Sequence, residues 1–217
     1  MCLSILKWVW LVLLLLVGLH TIVRIVRRIH KFPMPPFAAN LIDNPLRRRF
    51  QPPHETALRH GIEPGMKVLD VGPGNGRYTI AAARRVGETG KVVAVDIEPK
   101  IIARLRRRIE AEGIRNLEAR LEDVYELSFE DQTFDRITMI TVIGEIPDPV
   151  KAMREFHRVL SPSGRLVFSE IFLDPDYPRA STVERWAQAA EFQLAGRIGN
   201  WFHYTLIFAK VGGLGRT

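Results

Sequence analysis

The sequence predicts an α/β fold: a doubly wound, mostly parallel sheet of seven strands that ends in a C-terminal antiparallel hairpin and is preceded by one transmembrane helix. Three observations carry this expectation. Residues 66–100 read as strand, glycine turn, helix and strand. Short apolar runs then alternate with amphipathic helical stretches as far as residue 171. An almost unbroken apolar stretch fills residues 5–26.

In the first of these stretches, Val68, Leu69 and Val71 surround a lone acid, Asp70, and glycine follows at Gly72, Gly74 and Gly76 before an Ala-rich helix. A second apolar run, residues 92–95, ends on Asp96, about 20 positions past Gly76. Glycine admits close approach of backbone amides to a ligand, and the helix that starts near Gly76 points unpaired N–H groups at an anion. An acid at the next strand tip can accept hydrogen bonds from both hydroxyls of a ribose. The unit therefore asks for a ligand with an anionic end and a nucleoside end. Dinucleotide sites space their glycines G-x-G-x-x-G, whereas these fall at alternate positions.

The string D-x-G-x-G-x-G over residues 70–76 resembles motif I of the class I S-adenosylmethionine-dependent methyltransferases. That resemblance implies a Rossmann-like fold and S-adenosylmethionine as cofactor. It implies that the loop of Gly72, Gly74 and Gly76 holds the methionine portion, and that Asp96, with Ile97 beside it, holds the ribose. Asp123 and Val124 occupy the station that reaches the adenine in the family, with Glu122 an adjacent rival. Further on, Phe134-Asp135, an apolar strand, residues 146–149 (IPDP) and residues 155–166 (EFHRVLSPSGRL) resemble the ubiquinone/menaquinone-type methyltransferases and their relatives. Where R-V-L-K-P-G-G is usual, this chain has Ser161 and Ser163 while keeping Pro162 and Gly164, and a turn is expected there before a fifth strand over residues 165–171. The resemblance covers residues 64–210.

Composition bounds the remainder. A chain of 217 residues buries one sizeable core, and the expected division is an anchor at 1–31, a linker at 32–63 and a catalytic domain at 64–217. The lone cysteine, Cys2, leaves no disulfide framework, no Cys/His metal cluster and no thiol nucleophile in the catalytic part. The net charge of +7 is local: residues 1–60 carry nine Lys or Arg against Asp43 and Glu55, and residues 61–217 carry 22 of each sign. A neutral domain argues against nucleic acid as a partner.

Residues 5–26 would span roughly 33 Å as a helix, against roughly 30 Å of bilayer hydrocarbon. A secretory signal peptide competes, but no A-x-A-like site follows and the positive cluster comes after the apolar run. Arg24, Arg27, Arg28 and Lys31 outweigh Lys7, which places the catalytic domain in the cytoplasm, with Trp8 and Trp10 at the outer interface. The linker is broken by six prolines between residues 32 and 53. Within it, Arg47, Arg48, Arg49 and Phe50 form a cluster that suits anionic headgroups or, equally, a solvated charge run. A short helix is expected over residues 54–60, and helices over 99–112, 150–160 and 182–192. Arg104, Arg106, Arg107 and Arg108 are read as a solvated face. Residues 193–198 and 201–210 are strand-like and joined at Gly199-Asn200, a two-residue hairpin link.

Methyl transfer from a sulfonium needs alignment and exclusion of water, and a base only when the nucleophile must lose a proton. Glu145, just past the fourth strand, is the candidate catalytic residue, as base or acceptor contact; a loop or cap carboxylate is its plainer reading. Asp70 is a stronger site candidate, because a carboxylate in an apolar strand is costly unless it holds amides or an ammonium. Tyr78 stacks near the methionine end or packs its helix. His54 and His60 line the mouth beneath the linker or, as the plainer reading, face solvent; His157 reads as a surface residue, and of His203 and Tyr204 one faces the core. The reading is thus a membrane-anchored methyltransferase acting on a small, lipophilic acceptor such as a quinone, isoprenoid, phospholipid or hydrophobic thiol or phenol. The alternatives are a nicotinamide-dependent oxidoreductase, disfavoured by the glycine spacing; a noncatalytic scaffold, disfavoured by the intact motif; and an RNA methyltransferase, disfavoured by the neutral domain.

Overall fold

A computed structural model describes residues 2–29, 49 and 51–212. Most of the linker, with Arg47, Arg48 and Phe50, lies outside the described residues. The chain opens with α1 (Cys2–Ile29) and resumes with a short α2 (Pro53–Arg59). The alternating unit follows: β1 (Lys67–Val71), α3 (Arg77–Val86), β2 (Lys91–Asp96), α4 (Pro99–Ala111), β3 (Leu117–Leu121), β4 (Phe134–Ile140), α5 (Pro149–Val159) and β5 (Leu160–Ile171). Then come α6 (Ala180–Ala189), β6 (Phe192–Gly199) and β7 (His203–Lys210).

The seven strands form one sheet in the order β3-β2-β1-β4-β5-β7-β6. Strands β1 to β5 are parallel and β7 runs antiparallel to both β5 and β6. The strand order reverses between β1 and β4, which opens a crevice at their carboxyl ends. The central strands β1 and β2 are buried on both sides and are correspondingly Val-rich. One side of the sheet packs Leu69, Val95, Ile137, Phe156 and Phe168. The other packs Val68, Val92, Ile80, Leu105 and Ala57. Helices begin where the sequence supplies an acceptor and a proline: Glu98 accepts from the Lys100 amide ahead of α4, and Asp148 accepts from the Lys151 amide ahead of α5, with Pro99 and Pro149 next in the chain.

Several local expectations are corrected. Residues 161–164 do not form a free turn, because β5 starts at Leu160. The pairing steps from Phe134↔Leu160 to Arg136↔Arg165, so the Ser-Pro-Ser-Gly run is carried as an irregularity inside the strand. Helix α6 ends at Ala189, and Phe192 opens β6 instead. The hairpin link is three residues, with Trp201 in the loop. The Asn200 side chain accepts from the amides of Phe202 (2.9 Å) and His203 (3.2 Å), closing it locally. His60 is buried, not exposed. Two of the α4 arginines are tied down: Arg106 donates to the Ala119 carbonyl at 2.9 Å and Arg108 to the Asn75 carbonyl at 2.9 Å. His157 is half-buried, edge-on to Phe192 with ring centroids 5.2 Å apart.

Candidate active site

A cavity of about 330 Å³ opens at the carboxyl ends of β1, β2 and β4, a volume within the range of small-molecule sites. Asp70, Gly72, Gly74, Asp96, Ile97, Asp123, Val124 and Glu145 all line it, and so does Tyr78. Residues as far apart as Asp70 and Glu145 thus line one cavity because all but Tyr78, in the first turn of α3, sit at the end of a strand or in the loop that leaves it.

Gly76 is the exception. It stands at the start of α3 with φ 79°, and a Cβ there would lie 2.4 Å from the Leu105 side chain. Its task is to turn the chain into α3 against α4, a position that L residues occupy only under strain. Gly72 is confined in another way, since its Cβ would meet Val142 at 2.5 Å. At Gly74 no atom lies within 4 Å of such a Cβ, so that space belongs to the cavity side.

The acids of the site differ in their surroundings. Asp70 is buried and accepts from the Thr79 hydroxyl at 2.5 Å. Burial pushes its carboxyl up to about 6; the Thr79 bond works the other way, and the charge of Asp96 adds to the rise. Asp96 is likewise raised to about 6 by burial, opposed by the amides of Glu98 and Ile97. Its Oδ1 accepts from the Glu98 amide at 2.9 Å, fixing the carboxylate at the strand tip. Asp123 accepts from the Tyr125 amide at 2.9 Å in a tight turn that presents Val124 to the cavity. The rival, Glu122, is turned away to Ser128, whose hydroxyl it accepts at 2.5 Å. Asp70, an open glycine loop ahead of a helix N-terminus, and a strand-tip acid suit a ligand bearing an ammonium, a carboxylate and a ribose, so the residues present fit S-adenosylmethionine.

Glu145 lines the same cavity, with a side chain only 15% exposed, and is paired with Arg27 of α1 at 3.7 Å. Arg27 also binds Asp176, and Gly144 abuts the Asp176 carbonyl so closely that a Cβ would reach within 2.0 Å of its oxygen. The last turns of α1, the loop after β4 and the loop after β5 therefore meet at one rim. Spacing alone gives no sign of this meeting. Thr141, another wall residue, holds φ 57°, an uncommon value for a β-branched side chain, at the point where β4 ends.

The buried His60 lies away from the cavity wall. Its Nδ1 contacts the Thr138 hydroxyl and its Nε2 lies 2.7 Å from the Ser169 hydroxyl, which in turn bonds Thr205 at 2.7 Å. Burial, aided by Arg136, lowers its pKa to about 3, so the ring is neutral. The network ties α2 to β4, β5 and β7.

With this geometry in place, the chain matches the family described as a methyltransferase domain over residues 62–212 and belongs to it. The class is that of the S-adenosylmethionine-dependent methyltransferases, with S-adenosylmethionine as cofactor. It is similar to the demethylmenaquinone methyltransferases of Bacillus cereus and Bacillus anthracis, at 35% identity over 116 residues, 54% of this chain and 49% of theirs. The chain spans about half the length of the curated relatives it matches. Among solved structures it is similar to an S-adenosylmethionine-dependent methyltransferase from Aquifex aeolicus, with a TM-score of 0.75 and 23% identity, covering 81% of this chain and 98% of that one. It is also similar to the cyclase SpnF, with a TM-score of 0.59 and 21% identity, covering 67% and 57%. These likenesses show the fold, and a cyclase among them illustrates that the fold alone does not name a reaction.

Proposed function

We propose that this chain is a membrane-anchored methyltransferase that passes a methyl group from S-adenosylmethionine to a small lipophilic acceptor of quinone type. In this reading residues 1–31 are the anchor, 32–63 the linker and 64–217 the catalytic domain, which faces the cytoplasm. Asp70, Gly72 and Gly74 hold the methionine portion, Asp96 and Ile97 the ribose, and Asp123 and Val124 the adenine. Glu145 faces the acceptor. Paired with Arg27, it is placed to accept a proton from a phenol or acidic carbon while the methyl is displaced in line.

The observation that carries the reading is the Arg27 pairing: an apolar helix of 28 residues ends on the rim of the cavity, against Glu145 and Asp176. Its segment Leu6–Arg27 is long and apolar enough to cross a bilayer. The similarity to demethylmenaquinone methyltransferases over half the chain supports a quinone-like acceptor. The test offers methyl-labelled cofactor to the 217-residue chain in liposomes of extracted lipid, beside soluble thiols, phenols and RNA. Label in the lipid extract is expected. Label confined to RNA or to soluble compounds would sink the lipophilic acceptor.

A further inference from the structure

The domain carries an exposed apolar apron beside the end of α1. Phe172 (37% exposed), Leu173 (47%), Ile198 (44%) and Trp201 (69%) belong to the loop after β5 and to the β6–β7 hairpin. Both lie at the carboxyl end of β5, the end of the sheet at which the cavity opens. The rings meet edge to face: Phe172 meets Trp201 with centroids 5.5 Å apart and Tyr177 at 5.7 Å, and the Tyr177 hydroxyl donates to the Trp201 carbonyl. Asn200 closes the hairpin loop locally, so Trp201 is presented outward rather than folded back.

The apron is continuous with the anchor. The Arg24 guanidinium lies over the rings of Phe172 (4.9 Å) and Tyr177 (5.7 Å) and donates to the carbonyls of both residues at 3.4 and 3.1 Å. On α1, His20, Val23, Arg24 and Arg27 are shielded to different degrees, while Leu19, Ile22, Ile25 and Val26 between them are bare. One helical face therefore rests on the domain over about two turns, roughly 10 Å. Arg24 sits within the last turn of the apolar segment Leu6–Arg27. On the anchor reading, whatever touches Arg24 lies at the depth where hydrocarbon gives way to headgroups.

We propose that Phe172, Leu173, Ile198 and Trp201 form a second membrane face, seated in the interfacial layer of the bilayer that α1 crosses. The proposal rests on the anchor reading above. Tryptophan and tyrosine favour that layer because an apolar ring carries a polar handle. Arg179 and Arg197, both exposed and close enough to act on Tyr177, supply the positive flank that anionic headgroups attract. Asp176, next to Tyr177, joins this face to Glu145 through Arg27, so an acceptor resting in the interfacial layer is one loop from the cavity.

The test uses two of the four tryptophans, Trp10 and Trp201, as probes in liposomes containing phospholipid brominated on the acyl chains. One variant of the 217-residue chain keeps only Trp201 (Trp8→Phe, Trp10→Phe, Trp186→Phe), and a second keeps only Trp10. Loss of emission from both, with a blue shift for Trp201, is the expected result. Quenching of Trp10 but not Trp201 overturns the apron and leaves the anchor. Quenching of neither overturns both. Trp201 that is shielded from aqueous iodide yet unquenched by brominated lipid would assign the face to a protein contact and also overturn the proposal. Trp201→Glu should slow methylation of a quinone in liposomes and leave the affinity for S-adenosylhomocysteine unchanged.

Discussion

Thr79 donates a 2.5 Å hydrogen bond to the buried carboxylate of Asp70, one strand-and-turn away in the motif that forms the cavity. The bond lowers a pKa that burial and Asp96 raise, leaving Asp70 near 6. Since a carboxylate is the form that holds an ammonium, affinity for S-adenosylhomocysteine should climb as pH rises through about 6, with Asp70 and Asp96 titrating as a coupled pair. Thr79→Val should move the midpoint upward. Calorimetric titration between pH 5 and 8 reads this directly, and a flat profile would contradict it.

Asp70 also sets a trade between fold and site. Its folded pKa lies above the unfolded value of 3.8, so its contribution to stability is complete below the unfolded pKa and is lost as pH rises through about 6. Asp70→Asn should therefore raise the melting temperature of the ligand-free protein at pH 8 while weakening cofactor binding by about tenfold or more. Thermal melts with and without S-adenosylhomocysteine separate the two effects.

The glycines should divide in the same way. Gly76→Ala meets Leu105 and a left-handed backbone, so it should destabilise the fold by roughly 2 kcal/mol. Gly74→Ala, with φ 54° and open space beyond, should cost about 1 kcal/mol of strain but reduce cofactor affinity more than Gly76→Ala does in the surviving folded fraction. Denaturant melts paired with calorimetry check the ordering.

His60 predicts a stability profile in acid. Its folded pKa, about 3, lies below the unfolded 6.5, so the neutral buried ring contributes in full above pH 6.5, and that contribution is lost as pH falls toward 3. His60→Phe should abolish this part of the slope. It should also cost roughly 3 kcal/mol at pH 7, since Thr138 would lose its ring partner and Ser169 would keep only Thr205. Urea melts at pH 5 and 7 measure both.

Glu145→Gln keeps the shape of the rim and removes its charge. If Glu145 takes the acceptor proton, turnover should fall by about 10²-fold or more with the affinity for S-adenosylhomocysteine unchanged. A rate equal to the wild type would reduce Glu145 to a partner of Arg27. Arg27→Ala, which leaves Asp176 buried without that guanidinium, should lower stability by about 3 kcal/mol.

Much of the fold was readable because its signals are local. The strand, glycine loop and strand-tip acid of residues 68–96 lie within one unit, and the order of apolar runs prescribes the parallel sheet. Seven of the eight expected cofactor contacts do line the cavity, together with Glu145. Gly76 does not, because alternate glycines look alike in sequence while only the packing of Leu105 tells which one serves the fold. His60 and its hydroxyl partners were not readable, since Thr138, Ser169 and Thr205 come from three separate strands. Nor was the rim: Arg27 and Asp176 are joined across 149 positions, and no short-range pattern encodes such a pair. The run at residues 161–164 has the composition of a turn, but its neighbours hold it in the sheet.

The most direct test of the central claim is calorimetric titration of the 217-residue chain with S-adenosylhomocysteine and, separately, with NADH, in wild-type and Asp96→Ala forms. The wild type should bind S-adenosylhomocysteine and not NADH. Asp96→Ala, still folded by circular dichroism, should bind it about tenfold more weakly or worse, because charge-assisted hydrogen bonds to the ribose are lost, each worth roughly 1.5 to 3 kcal/mol. Binding of NADH by the wild type, or equal affinity of the two forms for S-adenosylhomocysteine, would contradict the site assigned here.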